Sequence, residues 1–473
     1  MKVGIIGAGP AGMTAAYELS KAGADVEVFE GSPSVGGMAR SLDLWGQRVD
    51  LGPHRFFSND TRVNRVWLEV VAPDYDMVDR LTRILYKGRF FFYPLKPFNA
   101  LVNLGLFEAI RCLLSYSKEW FRPTKLGDSP SFEEWVVSRF GRRLFSIFFK
   151  TYSEKLWGIK CAELDADFAA QRIKKFSLLE AIKSAFGFGA AKHKTLVDQF
   201  AYPHGGTGSV YERMAEKCAN VGGRVHRDAP VRRVVVHAKK AVAIELEDGR
   251  VAPFDHVVSS MPITDLVGRM DNVPPEVKAA LAKLKFRNTV IVFLKVGGTG
   301  LFKDNWLYVH SADLETGRIT NFRNWTPHVF GNSPDTILAL EYWCYDSDDL
   351  WHRQDAELIR QATAEIQRAG LLGKHHVLDG HVVRIGKSYP VYSRGYKEPL
   401  KSVTNFLKTI ENLSVVGRYG AFKYNNQDHS MLMGCLAAQN ICSGGKHDLW
   451  GINTDYEYQE SSVITKTGLV EKK

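Results

Sequence analysis

Residues 417–431 read GRYGAFKYNNQDHSM, a run with two glycines, three aromatic side chains and five consecutive polar residues, Asn425, Asn426, Gln427, Asp428 and His429. Almost nothing in this run is apolar enough to anchor a core. Amides, a carboxylate, an imidazole and aromatic faces can together surround an electron-rich or anionic ligand, and glycines let backbone approach it closely. A plain polar turn is the alternative, although it would not need so many hydrogen-bonding and aromatic groups in one place.

A second group of such residues opens the chain. KVGIIGAGPAGMTAAYELSKAGADVEVFEGS contains Gly7-x-Gly9-x-x-Gly12 between an apolar strand and an Ala-rich helix, and a second strand ends in Glu30. Gly7 permits a tight turn, Gly9 lets the backbone approach a pyrophosphate, and Gly12 allows close contact between helix and strand. Glu30 follows at the distance where a carboxylate accepts hydrogen bonds from a ribose hydroxyl. The pattern predicts a dinucleotide-binding βαβ unit.

The stretch SPSVGGMARS, residues 32–41, indicates which dinucleotide. Gly36 and Gly37 let the chain pass close to a cofactor, and Arg40 can meet its phosphates. This stretch resembles the second FAD motif of the amine oxidase and protoporphyrinogen oxidase superfamily. The resemblance favours FAD over NAD; a surface turn that holds an arginine is the alternative.

The strand and helix patterns of the sequence, which must position these residues, indicate an α/β protein with several hydrophobic cores. We predict a Rossmann-like FAD-binding domain assembled from three segments, a mostly helical insertion, a second, sheet-containing substrate domain, and a polar C-terminal tail. The predicted bounds are 1–85, 200–265 and 405–445 for the FAD-binding domain, 86–199 for the helical substrate domain, 266–404 for the sheet-containing domain and 446–473 for the tail.

Charge and cysteine content limit the partners, the covalent cross-links and the cellular location that we expect. The formal net charge of +10 favours an anionic partner without choosing among nucleic acid, a membrane surface and a phosphorylated substrate. The six cysteines form no CxxC pair and have no histidine at ligand spacing, so we expect neither disulfides nor a metal site. With no leader-like or membrane-spanning stretch, we expect a cytoplasmic protein, and peripheral contact with the inner face of the membrane stays open.

Ordered motifs along the chain resemble those of the UDP-galactopyranose mutases, and above all their eukaryotic branch. The first motif, GRYGAFKYNNQDHSMLMG, is similar to the C-terminal signature of that family. Counterparts in order are GPHRFFSND, FFKTYSEKLWG, YPHGGTG, SSMPITDL, WLYVHSADLETGRITNF and KSYPVY. Bacterial mutases carry a second histidine where Phe57 stands and an acidic residue where Asn426 stands, so the sugar is not fixed by the resemblance.

The resemblance implies a role for each matching residue. Arg172 and Arg318 would hold the substrate diphosphate, with hydroxyls from Tyr308, Tyr389 and Tyr424 around it. Asn426 would line the pocket, Tyr152 and Trp157 would form its wall, and His54 would sit against the flavin. The implied cofactor contacts are Gly7, Gly9, Ala11, Gly12, Glu30, Gly36, Gly37, Arg40, His54, Val231, Gly417, Arg418, Gln427, Asp428 and Ser430.

The activity implied by the resemblance is isomerisation without net redox change. In this family N5 of reduced FAD attacks the anomeric carbon of a nucleoside-diphosphate sugar, and UDP-galactopyranose and UDP-galactofuranose interconvert for cell-surface polysaccharide biosynthesis. The implied partner is that sugar nucleotide and not a nucleic acid. NAD(P)H is a candidate reductant, and the oligomeric state stays open.

A redox enzyme is the competing interpretation. An oxidase or dehydrogenase of the protoporphyrinogen or amine oxidase type could act on a lipid-borne substrate. The basic stretch RIKKFSLLEAIKSAFGFGAAKHK and the apolar LVNLGLFEAIRCLL favour it, because both could lie on a membrane. Packed helices with a solvated Lys face are the simpler explanation of the same pattern.

Overall fold

The structure, a computed structural model, describes residues 1–122, 124, 126–167, 199–452 and 462–471. It confirms the predicted α/β fold. Two large sheets organise the chain, one of five strands and one of seven, with helices packed against them. The stretch 168–198, which contains Arg172 and the whole basic segment 172–194, lies outside the described residues.

The five-stranded sheet is wholly parallel and gathers segments distant in sequence. The strand Lys2–Ile6 pairs with Asp25–Phe29 on one side and with His256–Ser259 on the other. Leu413–Val415 and Arg224–His226 complete the two edges. Val3, Ile5 and Ile6 are buried because helices cover both faces of a parallel sheet. In such sheets ligands bind beyond the carboxyl ends of the strands.

The seven-stranded sheet is antiparallel except for one pair. Its order is Val377–Pro390, Phe286–Val296, Thr336–Cys344, Arg318–Asn321, Trp306–Val309, Thr82–Tyr86 and Arg89–Phe92. Trp306–Val309 pairs in parallel with Thr82–Tyr86. The predicted domain boundary at residue 85 falls inside the hairpin of Thr82–Tyr86 and Arg89–Phe92, which belongs to the seven-stranded sheet.

Smaller sheets and helices complete the described part of the chain. The remaining strands are Val231–His237, Lys240–Leu246 and Val251–Pro253, and the pairs Ser41–Leu44 with Gln47–Asp50, Tyr75–Asp79 with Gln199–Pro203, and Ser462–Thr465 with Gly468–Glu471. The helices of eight residues or more are Pro10–Lys21, Thr61–Val71, Pro97–Leu104, Leu106–Phe121, Phe132–Phe145, Gly208–Asn220, Asp355–Arg368, Lys397–Leu407 and Gln427–Ser443. Shorter ones are Thr151–Trp157, Ile263–Gly268, Pro275–Leu281, Pro327–Phe330, Asp349–His352 and Gly417–Gly420.

The helices Pro10–Lys21 and Gln427–Ser443 pack with their backbones in close contact. A Cβ on Gly434 of Gln427–Ser443 would lie 2.5 Å from the carbonyl oxygen of Ala11 and 2.9 Å from the amide nitrogen of Ala15. A side chain at this position would force the helices apart. Gly434 therefore fixes how the helix Gln427–Ser443 sits against Pro10–Lys21, and sequence reasoning did not single it out.

The chain beyond residue 446 begins as packed structure. Leu449 and Ile452 are buried, and Lys423 donates from Nζ to the carbonyl oxygens of Trp450 and Ile452. Burial lowers the pKa of Lys423 to about 8. The first residues of the predicted polar tail thus hold the loop 421–426 in place through these hydrogen bonds.

Candidate active site

A cavity of about 720 Å³ lies between the carboxyl edge of the five-stranded sheet and the seven-stranded sheet. Residues from both sheets and from the run 417–431 line it. The predicted residues in its lining are Gly7, Gly9, Ala11, Glu30, Gly37, His54, Val231, Tyr308, Arg318, Gly417, Arg418, Tyr424, Asn426, Gln427, Asp428 and Ser430. Gly12, Gly36, Arg40, Tyr152, Trp157 and Tyr389 do not line it, and Arg172 is outside the described residues.

One end of the cavity is a cradle of glycine backbone. A Cβ on Gly37 would lie 3.1 Å from Cα of Gly9, so two segments of chain meet there without side chains. A Cβ on Gly12 would lie 1.9 Å from the carbonyl oxygen of Gly7, which makes glycine obligatory for the turn. The helix Pro10–Lys21 has no acidic residue in its first turn. Its free amides can therefore meet phosphate oxygens.

Glu30 closes this cradle. Its Oε2 accepts a hydrogen bond of 2.8 Å from the amide of Ala8, and Oε1 accepts from the amide and hydroxyl of Ser32 at 2.9 and 2.8 Å. The carboxylate thus holds the glycine loop in place. Since a carboxylate oxygen has two lone pairs, Oε2 keeps one for the predicted ribose contact, which stays a prediction, while Oε1 already accepts two hydrogen bonds.

The first turn of the helix Gln427–Ser443 forms part of the opposite wall. Asn426 is its N-cap residue, and the amide of Asn426 donates to Nδ1 of His429 at 3.3 Å. Gln427 donates from Nε2 to the carbonyl oxygens of His54 and Arg55 at 3.2 and 2.9 Å. The run 417–431 therefore contributes a wall of the cavity. The side-chain amide of Gln427 also holds the backbone of the GPHRFF segment in place.

Arg418 is the most unusual group in the cavity lining. Its guanidinium carbon lies 4.4 Å from the ring centroids of both Tyr389 and Tyr424, so the cation is in contact with two aromatic faces. Its Nη1 donates to the carbonyl oxygen of Asn425 at 3.2 Å. Nε and Nη2 are buried and have no hydrogen-bond partner among the described residues. Because a buried charge with unsatisfied donors is costly, an acceptor from a ligand would stabilise this site.

Arg318 is held by a partner that sequence reasoning missed. Its Nε and Nη2 donate to Oε1 and Oε2 of Glu341 at 2.6 and 2.5 Å, and Glu341 is buried. Tyr308 lies opposite Arg318 in the antiparallel register. The ion pair of Arg318 and Glu341 packs on Gly52. A Cβ there would lie 3.2 Å from Oε1 of Glu341, and the positive φ of 124° requires glycine. The signal in the sequence was a lone carboxylate inside the apolar strand TILALEYW.

His54 is a neutral base in this cavity. Burial, together with the charges of Arg318 and Arg418, lowers the pKa of His54 to about 3. Its Nδ1 is buried and lacks a hydrogen-bond partner within the described parts of the chain. Its backbone oxygen accepts from the hydroxyl of Thr207 at 2.6 Å. The backbone of His54 is thus held in place, and its uncharged ring lines the cavity.

We expect the His54 pKa to appear as an acid sensitivity of the fold. The unfolded residue titrates near 6.5 and the folded one near 3, so protons favour the unfolded state as pH falls below 6.5. At about pH 5 the free energy of unfolding of the wild type should be lower by about 2 kcal/mol for this reason, and His54→Asn should not show this loss. Denaturant unfolding of wild type and variant at about pH 7 and pH 5 measures this difference. Equal losses in wild type and variant would contradict the lowered pKa.

Two predicted wall residues, Tyr152 and Trp157, and the predicted diphosphate contact Tyr389 lie behind the residues that line the cavity. Trp157 is fully buried, stacks on Tyr392 with centroids 6.0 Å apart and lies 5.9 Å from the ring of Tyr424. Tyr152 stacks on His310 at 4.9 Å and meets Tyr308 edge-on at 5.4 Å. Tyr389 is buried under Arg418. These rings support the side chains that line the cavity, because aromatic neighbours fill the space behind them.

The cavity fits a flavin dinucleotide by the chemistry of its lining. A dinucleotide has a pyrophosphate for the glycine cradle and ring heteroatoms for buried donors. The buried polar atoms of lining residues that lack partners among the described residues include His54 Nδ1, Arg55 Nη1, Trp306 Nε1, Arg418 Nε and Nη2, and the hydroxyl of Tyr419. Burial raises the pKa of Tyr419 to about 12, so this hydroxyl stays a donor.

Comparison with known proteins gives one family match over most of the chain. The family described as "Flavin containing amine oxidoreductase" matches residues 10–442. A solved structure titled "Crystal structure of reduced UDP-Galactopyranose mutase" aligns with a TM-score of 0.84 at 24% identity, covering 94% of this chain and 96% of that one. A putative protoporphyrinogen oxidase from Exiguobacterium sp. 255-15 aligns with a TM-score of 0.73 at 15% identity, covering 94% of this chain and 99% of that one. At these identities the structures show a shared fold.

Curated relatives match over short segments. A probable UDP-galactopyranose mutase from Klebsiella pneumoniae is 28% identical over 174 residues, 34% of this chain and 42% of that protein. A zeta-carotene desaturase from Zea mays is 37% identical over 83 residues, 17% of this chain and 15% of that protein. The alignments thus span less than half the length of these curated relatives.

Proposed function

The chain belongs to the family of flavin-containing amine oxidoreductases, whose cofactor is FAD, and from that premise we propose that it is a sugar-diphosphate isomerase. Its substrate would be a nucleoside-diphosphate sugar, with UDP-galactose as the first candidate, interconverted between pyranose and furanose forms. The supporting observation is that buried cations and tyrosine hydroxyls adjoin a dinucleotide cradle. Arg318, Arg418, Tyr308 and Tyr424 line the same cavity as Gly9 and Gly37.

The arginines and tyrosines would bind the diphosphate. Arg318 lines the cavity, and its two hydrogen bonds to Glu341 fix the orientation of its guanidinium group. Tyr308 and Tyr424 add hydroxyl groups along the same wall. Charge that develops on a departing diphosphate is stabilised most by donors that are already oriented and shielded from water. Arg172 is proposed as a further contact on the basis of its motif.

The other lining groups would hold the FAD. Gly9, Gly37 and the amides at the start of Pro10–Lys21 would meet the pyrophosphate, and the first turn of Gln427–Ser443 would face the ring. When bound and reduced, the flavin supplies a nucleophile for the anomeric carbon. His54, neutral at physiological pH, adds no third positive charge beside Arg318 and Arg418. The leaving diphosphate would stay bound between the tyrosines until the sugar recloses.

A redox enzyme is the second candidate, and one observation favours it. The curated relatives include a 1-hydroxycarotenoid 3,4-desaturase from Flavobacterium that is 48% identical over 52 residues, 11% of this chain. In that case the cavity would accept a substrate for dehydrogenation, and the arginines would have no diphosphate to bind.

The two candidates differ in whether turnover consumes electrons. We expect that one chemical reduction under anaerobic conditions supports many product molecules, because isomerisation returns the cofactor unchanged. The measurement is chromatography of UDP-galactopyranose and UDP-galactofuranose after reduction with one equivalent of dithionite per flavin and no further reductant, with flavin absorbance recorded throughout. The matched control is the same enzyme left oxidised, which should be inactive. Product limited to one per flavin, or made only with an electron acceptor, would overturn the isomerase and favour the redox enzyme.

A further inference from the structure

Two adjacent helices direct apolar side chains away from the protein. On Pro97–Leu104 and Leu106–Phe121 the inward positions are few, for example the buried Ala109 and Cys112. Large apolar side chains face outward, with exposures of 84% for Phe107, 81% for Phe121 and 75% for Phe98. We call this apolar surface the docking face. Its other exposed residues are Leu101, Val102, Leu106, Ile110, Leu113, Leu114 and Trp120. A surface helix normally shows the reverse pattern, and so large an apolar patch marks an interaction site.

The shape of the docking face suits the surface of a bilayer. Among the described residues no single helix has the length and apolar composition of a membrane span, but Phe98–Leu104 and Leu106–Phe121 meet both criteria as a pair bent by 119°. A sharp bend at Gly105, with φ of 82°, turns the pair into a wedge. A wedge of this kind can bury its apolar side in one leaflet without crossing it.

Cations flank the apolar side. Arg111, Lys118 and Arg122 follow one another at spacings of seven and four, which places them along one edge of the helix Leu106–Phe121. The two acidic residues of this helix also have partners. Glu119 accepts from the hydroxyl of Thr124 at 2.6 Å. Glu108 pairs with Arg143, and one of its oxygens lies 3.8 Å from Nη1 of Arg111; the hydrogen bond from Arg143 lowers the pKa of Glu108, although burial opposes the shift. The edge is therefore positive.

We propose that the docking face inserts into one leaflet of an anionic membrane, with Arg111, Lys118 and Arg122 at the lipid headgroups. Basic side chains beside a wide apolar face bind anionic lipid through burial and charge together. A second copy of the chain fits less well, because a symmetric pair would bring these cations together. Tyr93, 46% exposed at the margin of this face, lies 5.0 Å from the ring of Tyr308 in the cavity wall. The membrane contact therefore adjoins the candidate active site.

Vesicle sedimentation of the full-length, flavin-loaded protein tests this proposal. We expect binding to vesicles of phosphatidylcholine mixed with phosphatidylglycerol and weaker binding to phosphatidylcholine alone. Phe107→Glu combined with Leu114→Glu should lower the partition coefficient by about a hundredfold, since each change removes an inserted apolar side chain. The matched control is Val221→Glu combined with Val251→Glu, at apolar positions exposed by 62% and 59% elsewhere on the surface. It should bind like wild type.

A charge variant and the oligomeric state complete the test. Arg111→Gln with Lys118→Gln should weaken binding to the anionic vesicles about tenfold, and rising salt should act the same way. Flavin content verifies that each variant is folded. Equal binding by the Phe107→Glu/Leu114→Glu variant and its control would overturn the proposal. So would light scattering that shows a wild-type dimer dissociated by this variant while vesicle binding is absent. Neither readout depends on the isomerase reaction.

Discussion

Replacing Arg418 by Met is expected to lower kcat/KM for the sugar nucleotide by about a thousandfold or more, while the free energy of unfolding does not fall. Arg418 is a buried cation that lies against the rings of Tyr389 and Tyr424 and has two donor nitrogens without partners among the described residues. In the unliganded protein those donors cost stability. In the liganded protein they would meet acceptor atoms, so a neutral side chain of similar length loses binding without losing the fold.

The Arg418 measurements combine steady-state kinetics, calorimetric titration with UDP and denaturant unfolding. Arg418→Lys should not restore activity, because an ammonium cannot lie flat between two rings and offer donors at both edges. Arg269→Met is the matched control. Arg269 also lines the cavity, but it is partly exposed and already bonded to Glu247 and to the carbonyl oxygen of Val231, so we expect a change of a few-fold at most. Wild-type kinetics in Arg418→Met would remove this cation from the mechanism.

Gly9→Val is expected to give a folded protein that retains almost no FAD. A Cβ on Gly9 would meet only Cα of Gly37, at an ordinary 3.8 Å, so the protein itself has room for a first side-chain atom. The side chain would instead occupy the space through which a pyrophosphate approaches the backbone. We expect the FAD affinity to fall by about a thousandfold or more, equivalent to about 4 kcal/mol. Absorbance of the purified protein and its circular dichroism give flavin content and folding.

Two glycine variants bracket that result. Gly127→Val, at a position with open space around it and no positive φ, should keep a full complement of FAD. Gly12→Ala should fail to fold, because its Cβ would lie 1.9 Å from the carbonyl oxygen of Gly7. Normal flavin occupancy in Gly9→Val would mean that this loop is a tight turn and not a cofactor cradle.

Local sequence was sufficient for the parts of the site that depend on backbone conformation. The glycines at 7, 9 and 12, followed by the strand that ends in Glu30, predicted a βαβ unit because each step in it is decided by residues a few positions apart. Periodicity likewise predicts strands at TVIVFLKV and TILALEYW and a helix over DAELIRQATAEIQRAG, and the structure has Phe286–Val296, Thr336–Cys344 and Asp355–Arg368 there. The run 417–431 was predicted to be a ligand wall and lines the cavity.

The tertiary structure alone decided which side chains share a space. Glu341 holds Arg318 across two strands, and Gly434 brings together helices more than four hundred residues apart in the sequence. Trp157 was expected in the wall and is buried behind it, because the rings of Tyr392 and Tyr424 cover it.

The same distinction holds for the docking face. Periodicity gives Leu106–Phe121 an apolar stripe, but a stripe does not say which side the rest of the protein occupies. By itself the sequence determined the local backbone turns, the strand and helix patterns and the chemistry available along the chain. Contacts between distant segments determined burial, pairing and the outward-facing apolar helices, since each depends on partners that no local pattern names.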